Sequence, residues 1–145
     1  MKILIEPLEC ISGVCALEEI VEVELEEGQR LWSDPKSWVS GSIPVDGDDV
    51  EVMSGWNMLL DIAETPKLNS LSINGRLQFI QREETPDIHV FTNNIFVRAG
   101  ELIIGSEEEP FEGLATITLT GDTESDTLNL GGTVEGGNKI LAITN

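Results

Sequence analysis

Carboxylates are the most abundant reactive groups in the sequence, and some of them could pair for hydrolysis. Asp and Glu together number 27, against 8 Lys and Arg, which gives a formal net charge of −19. Two carboxylates about 5 to 9 Å apart suit glycoside hydrolysis. The pairs considered are Asp61 with Asp87 and Glu83 with Glu101. With so many acids some pairs approach by chance, so we expect no catalysis by this domain alone and assign no catalytic residue.

A shorter acidic stretch could bind a cation. Asp46, Asp48 and Asp49 surround Gly47 and directly precede Val50. Carboxylate and carbonyl oxygens are the ligands that calcium prefers. The stretch lacks the spacing and the distal Glu of a calcium loop, and Asp-Gly commonly forms a turn. A turn before a strand is therefore favoured, and calcium is the one cofactor that these residues leave open.

The negative charge narrows the classes of partner. Nucleic acids and anionic membranes are bound chiefly through Lys and Arg contacts to phosphate, so neither is expected. Cations and basic proteins are attracted instead. The three glutamates at 107–109 form either a solvated loop or a site for a cation or basic partner. The apolar runs, such as 58–60, are far too short for membrane insertion.

The two cysteines lie near the start of the chain. Cys10 and Cys15 are separated by four residues and could close a small disulfide loop, or remain free or externally paired. The choice depends on the compartment, because disulfides persist in oxidising environments. Two thiols and the single distant His89 do not make the four-ligand set of a zinc site.

The three tryptophans have two possible roles, ligand binding or packing. Exposed together, Trp32, Trp38 and Trp56 could stack against the sugar rings of a ligand. Buried, they would cover the open end of the core. All three lie at or before the first repeated unit described below, so the second reading is favoured.

A strand-glycine-strand repeat must position these residues, since helical periodicity is weak. Glycines fall at 55, 75, 100 and 121, in steps of 20, 25 and 21 residues. The strands flanking the first three are 50–52 and 58–60, 71–73 and 77–79, and 95–97 and 102–104. Residues 117–119 repeat the first half of the unit before Gly121, and 140–142 open another copy.

A single unit of this length cannot bury its apolar row, but units stacked about 4.8 Å apart build a continuous core. We predict an all-β fold, a short right-handed parallel β-helix of about four to five rungs with an irregular N-terminal cap. The alternative is a β-sandwich of short hairpins. The structural glycines are Gly55, Gly75, Gly100, Gly105 and Gly121, with positive φ as the reason for glycine at the corners.

The predicted boundary divides lead-in strands with the cysteine loop, residues 1–30, from the main domain, residues 31–145. The first five residues are followed by Glu6 and Pro7 rather than by a longer apolar core, so they do not resemble a signal peptide. An exported protein is therefore expected to contain this chain as a piece.

The motifs in the main domain follow a characteristic order. They are the stretches 31–38, 43–50, 68–79, 94–105, 106–113 and 115–121. This order resembles the G8 domain, a family named for its recurring glycines and found in fibrocystin-like receptors and in cell-surface proteins that bind or degrade hyaluronan. The resemblance covers about residues 31–143. Its most specific part runs from Gly100 through Pro110 and Phe111 to Gly121, and one departure is Ala99, where members often carry a glycine before Gly100.

The resemblance implies an extracellular or lumenal module of a larger membrane-anchored or secreted protein, with a role in ligand, matrix or protein interaction that includes glycans. It transfers no catalytic residue. Arg76 and Arg98, near corners of successive rungs, could form a basic spot for a ligand beside the tryptophans. Hyaluronan is a polyanion that this acidic domain should repel within a Debye length of about 8 Å. The alternative function is the N-terminal part of a carbohydrate-active β-helix of the hyaluronan-degrading type.

Overall fold

The computed structural model describes residues 24–145, so Cys10, Cys15 and most of the predicted lead-in lie outside the described residues. Thirteen short strands and a 3-10 turn at Pro35–Ser37 make up the described part, which contains no α-helix. The strands are β1 Gln29–Leu31, β2 Asp49–Val52, β3 Asn57–Leu60, β4 Glu64–Leu68, β5 Ser70–Ile73, β6 Arg76–Phe79, β7 Ile88–Thr92, β8 Ile95–Arg98, β9 Glu101–Ile104, β10 Ala115–Leu119, β11 Asn129–Gly131, β12 Val134–Glu135 and β13 Leu141–Thr144.

The strands form three parallel sheets that the chain visits in turn. Sheet 1 contains β2, β5, β8 and β13, sheet 2 contains β1, β3, β6 and β9, and sheet 3 contains β4, β7 and β10. Each full turn of the chain supplies one strand to each sheet, as β2, β3 and β4 do. The prediction of a parallel β-helix is therefore confirmed, with about four turns. The sandwich alternative is wrong, since sandwiches are built from antiparallel sheets.

Successive turns differ in length, although their strands stay in register. Asp49 pairs with Ser70, 21 residues later, and Leu71 pairs with Ile95, 24 residues later. The next step in sheet 1, from Ile95 to Leu141, spans 46 residues. The extra residues include the antiparallel hairpin of β11 and β12, so they loop out without disturbing the stack.

Apolar side chains at alternate positions point into the space that the three sheets enclose. The core rows follow the register, with Leu71 over Ile95 and Ile73 over Val97 in sheet 1. Other buried members of the core are Trp32, Trp38, Val50, Val52, Met58, Leu60, Leu68, Leu77, Phe79, Ile88 and Val90. Within residues 24–145, no helix is long and apolar enough to cross a bilayer.

One part of the predicted repeat was wrong. The unit has three strands rather than two, because β4, β7 and β10 form the third sheet. β10, predicted as another copy of the first strand, lies against β7, and β13 takes its place beside β8. The repeat was misassigned at Gly121 because glycine also occurs at a corner other than the one between sheets 1 and 2. At Gly121 an added Cβ would clash with the carbonyl of Asn138.

The corner glycines serve two different purposes. Gly55 and Gly105 have positive φ values, as predicted, whereas Gly75, Gly100 and Gly121 do not. At Gly100 the reason is close approach, since an added Cβ would lie 2.5 Å from the Ile73 carbonyl oxygen and 2.6 Å from that of Gly75. The positive φ at this corner belongs instead to Ala99, at 52°.

Substitutions at the adjacent positions 99 and 100 should change the free energy of unfolding in opposite directions. Ala99→Gly should raise the free energy of unfolding by about 1 kcal/mol, because it relieves a left-handed conformation that L side chains disfavour. Gly100→Ala should lower it by about 3 kcal/mol, because the new methyl group meets backbone of the preceding turn. Urea denaturation of both variants beside the parent chain checks the pair. Equal and small effects at the two positions would contradict this account of the corner.

Candidate functional site

A groove of about 500 Å³ runs along the corner between sheets 1 and 2. Its lining includes Gly55, Gly75 and Gly100, which connect strands of sheet 1 to strands of sheet 2, and Gly28, which precedes β1. Glycines of successive turns thus line one groove. We call this feature the corner groove. Its other lining residues are Glu26, Glu27, Gln29, Ser54, Trp56, Asn57, Asn74, Arg76, Ala99 and Glu101.

Trp56 is the aromatic side chain of the corner groove. The Arg30 guanidinium carbon lies 4.1 Å from the centroid of its ring, a cation–π contact that fixes the half-buried indole. The backbone of Trp56 is also held, because its N–H donates to Met53 and its carbonyl accepts from Arg76. The adjacent Asn57 has a buried side-chain oxygen that accepts no hydrogen bond from any described residue.

The charged pair of the corner groove joins two turns. Arg76 is paired in register with Glu101, and its Nε donates to a Glu101 carboxylate oxygen at 2.7 Å. Both side chains are about half exposed, so the pair adds little stability. Its main effect is to neutralise charge locally. Arg98, at the end of β8, does not line the groove, so only Arg76 of the predicted basic spot lies there.

Trp32 and Trp38 lie in the core rather than beside Trp56 in the groove. Their exposed fractions are 0% and 8%, so neither offers a ring face to a ligand. Their rings meet edge to face with centroids 4.9 Å apart, and the Trp38 indole N–H donates to the Trp32 carbonyl. They follow β1, the first strand of sheet 2, and so cover that end of the core.

Comparison with known proteins identifies the family. The G8 domain family is matched over residues 37–145, which is most of the chain. The chain belongs to the G8 domain family. The match begins within the predicted main domain, and the boundary placed at residue 31 stays a prediction. No solved structure matches the chain with significance.

Several vertebrate proteins resemble this G8 domain. Mouse fibrocystin is 44% identical over 98 residues, or 66% of the chain. Dog fibrocystin is 41% identical over 96 residues, or 65% of the chain. Human fibrocystin-L is 36% identical over 98 residues, or 67% of the chain. The chain spans about 2% of the length of these relatives.

Three of the four carboxylates considered for hydrolysis have structural partners in this G8 domain, and the fourth, Glu83, is exposed. Asp61 is buried, accepts from the N–H and hydroxyl of Ser33 at 2.9 and 2.6 Å, and lies 3.3 Å from an Arg82 nitrogen. Asp87 accepts from the backbone N–H of Leu114 at 2.8 Å, and Glu101 is bound by Arg76. These contacts fasten loops to neighbouring turns.

The acidic turn at 46–49 is also fastened to the following turn of the chain. Asp46 accepts from the Lys67 N–H at 2.7 Å. Asp49 accepts from the side chains of Asn69 and Ser70, each at 2.7 Å. Asp48 instead closes its own turn by accepting from the Val45 N–H. Among residues 24–145, no group of three acidic, histidine or cysteine side chains converges in a way that could hold a metal.

A ladder of hydrogen-bonded polar side chains beside this turn was not predicted from the sequence. Asn69 donates to Asp49, Asn93 donates to Asn69 at 3.1 Å, and Thr120 donates to Asn93 at 3.0 Å. The four residues lie at the same corner in successive turns. The spacings of 20 and 24 residues are close to the first two glycine steps, which is the signal that could have revealed Asp49, Asn69 and Asn93. The 27 residues to Thr120 match instead the register of β7 with β10.

Calcium should not stabilise this G8 domain. The carboxylates of Asp46, Asp48 and Asp49 already accept hydrogen bonds that a bound ion would have to replace. Millimolar calcium is therefore expected to leave Tm unchanged within about 1 °C, because only a ligand that binds the folded state raises it. Differential scanning calorimetry with calcium and with EDTA makes the comparison. A rise of several degrees that EDTA reverses would show a calcium site instead.

Proposed function

We propose that this G8 domain is a noncatalytic module of the extracellular or lumenal part of a larger membrane-anchored or secreted protein, and that it binds an uncharged matrix glycan in the corner groove. The observation that carries the proposal is Trp56, an indole fixed beside an open row of glycines by Arg30. The similarity to fibrocystins supports the setting. A protein ligand in the same groove is the outcome to be distinguished.

The side chains around Trp56 have the chemistry that sugars need. An indole offers an apolar face to the C–H groups of a pyranose ring. Side-chain amides also line the groove, at Gln29, Asn57 and Asn74. The Gln29 oxygen already accepts from the Glu26 N–H, the Asn74 amide nitrogen donates to Glu51, and the Asn57 oxygen is buried. The Gln29 amide nitrogen and the Asn74 oxygen are therefore the groups offered to sugar hydroxyls. A glycine lining that crosses several turns leaves room for a linear chain of sugars.

The charges of the corner groove favour an uncharged ligand over a polyanion. Glu26 and Glu27 line one end and carry no described counter-ion, while the charges of Arg76 and Glu101 cancel. A uronic-acid chain such as hyaluronan would meet repulsion within a Debye length of about 8 Å. The local charges of the groove and the net charge of the domain therefore both disfavour polyanionic ligands.

Substitution of Trp56 tests the proposal. Trp56→Ala should weaken the binding of a neutral oligosaccharide, identified on a glycan array, by about tenfold, because loss of an aromatic contact costs about 1 kcal/mol or more. Trp56→Phe should retain part of the affinity. Isothermal titration calorimetry measures both variants, and Phe91→Ala is the matched control, since it removes a half-buried aromatic from sheet 3.

Three outcomes would contradict the glycan proposal. The first is an array on which no neutral glycan binds while a protein ligand does. The second is tight binding of hyaluronan oligosaccharides that survives physiological salt. The third is equal loss of affinity in Trp56→Ala and Phe91→Ala at equal Tm.

A second candidate function is one end of a longer carbohydrate-active β-helix. Leu141 and Ile143 in β13 occupy core rows, over Ile95 and Val97, yet their exposed fractions are 40% and 68%. A further turn stacked on them would complete their burial. Hyaluronan cleavage measured by viscometry would favour this candidate if a longer natural chain that contains this domain is active while this chain alone is inactive. Inactivity of both would favour the binding module.

A further inference from the structure

A second groove, of about 360 Å³, lies at the opposite end of sheet 2 from the corner groove. It opens between the end of β6 with the residues after it, 78–81, and the loop 105–111 that follows β9. We propose that it binds a lysine- or arginine-containing segment of a protein partner, with the aliphatic part of that segment on the apolar lining of the groove. We call it the acidic-rimmed groove.

Apolar side chains line part of the acidic-rimmed groove, beside Gln78 and Gln81, and are tied to the core. Ile103 is half-buried, as are Ile80 and Phe111 in the same lining. The Phe111 ring packs edge to face on core residue Phe79, with centroids 6.4 Å apart. Apolar surface that is still half-exposed gains from further burial by a partner.

The loop wall of the acidic-rimmed groove is held by its own hydrogen bonds. The Ser106 N–H donates to the Glu109 carbonyl at 2.8 Å, and the Glu109 N–H donates to the Ser106 hydroxyl at 3.0 Å. The Glu112 N–H donates to the Gln81 side chain at 3.0 Å and so joins the two walls. The groove is therefore formed before a ligand arrives, which lowers the entropic cost of binding.

Unpaired acids lie on the loop wall of the groove and next to it in the sequence. Glu109 lines the groove, and Glu107 and Glu108 precede it in the same loop. All three are exposed, and among residues 24–145 no cation or hydrogen-bond donor contacts their carboxylates. Glu83 and Glu84, which follow the other wall in the sequence, are also exposed. Arg82, beside them in the sequence, is bound to the buried Asp61.

Charge complementarity selects the occupant. A metal ion is disfavoured, because the described residues bring no three acids together for one. A lysine or arginine fits better, since its aliphatic stem covers apolar surface while its charged end reaches the carboxylates. A glycan could use Gln78 and Phe111, but it would leave the free carboxylates of the loop without a cation. The acidic-rimmed groove shares no lining residue with the corner groove, so this proposal does not rest on the glycan proposal.

The probe is the fluorescein-labelled peptide Gly-Lys-Ile-Lys-Gly, with its binding to the whole chain followed by fluorescence anisotropy at physiological salt. Two control peptides replace Ile with Ser or both Lys with Glu. We expect the first peptide to bind and each control peptide to bind at least about fivefold more weakly, because one loses the apolar contact and the other reverses the charge.

Variants of the chain locate the binding. Glu109→Gln should weaken binding about threefold to fivefold, as expected for an exposed ion pair. Ile103→Ser should weaken it about tenfold, because apolar contact is lost. The matched control Glu135→Gln removes an exposed charge from β12, and it should leave affinity unchanged.

Several results would contradict the proposed peptide site. Equal weakening by Glu109→Gln and Glu135→Gln would show that the net charge alone attracts the peptide, and it would overturn the site. Equal binding of the Ile and Ser peptides, or no binding up to about 1 mM peptide, would do the same. If Ile103→Ser lowers Tm, the double variant Glu108→Gln/Glu109→Gln, at exposed positions only, provides the deciding affinity.

Discussion

The close approach of successive turns at the corner between sheets 1 and 2 determines what the rest of this G8 domain can be. At Gly100 the backbone passes so near the carbonyls of Ile73 and Gly75 that a Cβ would force the turns apart. Strands in adjacent turns must stay about 4.8 Å apart to keep their hydrogen bonds. That spacing stacks Leu71 on Ile95, so each core row is completed by its neighbour. The corner groove follows the same line of stacked corners, since Gly55, Gly75 and Gly100 all belong to its lining.

Acidic side chains also join successive turns, by accepting hydrogen bonds. Asp49 accepts from Asn69 and Ser70, Glu51 accepts from Asn74, and Asp61 fixes Ser33. Each contact joins residues about one turn apart in the sequence. Hydrogen bonds to a carboxylate are stronger than those between neutral groups, so an acid is a good fastening for a loop with spare N–H or hydroxyl donors. Part of the negative charge is thus structural, which is why counting carboxylates overstates the case for catalysis.

Sequence patterns were informative where one physical cause produced them. Two of the three sheets were predictable because apolar alternation and a corner glycine coincide there, as around Gly75. The third sheet was missed because its strands carry weaker patterns: Pro66 interrupts β4, and β7 has His89 and Phe91 stacked on its outer face. In the candidate site, Trp56 and Arg76 were predicted by type, but not the difference in burial among the tryptophans: Trp32 and Trp38 are buried, whereas Trp56 is half-buried against the same core. None of the three lies within a strand, so the alternation of apolar residues does not specify their burial.

Partner selection depends on local pairing of charges more than on the net charge. Screening limits the influence of an exposed charge to about 8 Å at physiological salt, so each groove responds mainly to its own rim. In the corner groove Arg76 offsets Glu101, and what remains is an indole among amides, with Glu26 and Glu27 unpaired at one end. In the acidic-rimmed groove no described cation offsets the glutamates at 107–109, of which Glu109 lines the groove together with Ile103 and Phe111. One acidic domain can therefore present a surface suited to uncharged sugars at one end of sheet 2 and a surface suited to basic segments at the other. Two ligands of different chemistry could bind together, since neither groove uses a residue of the other.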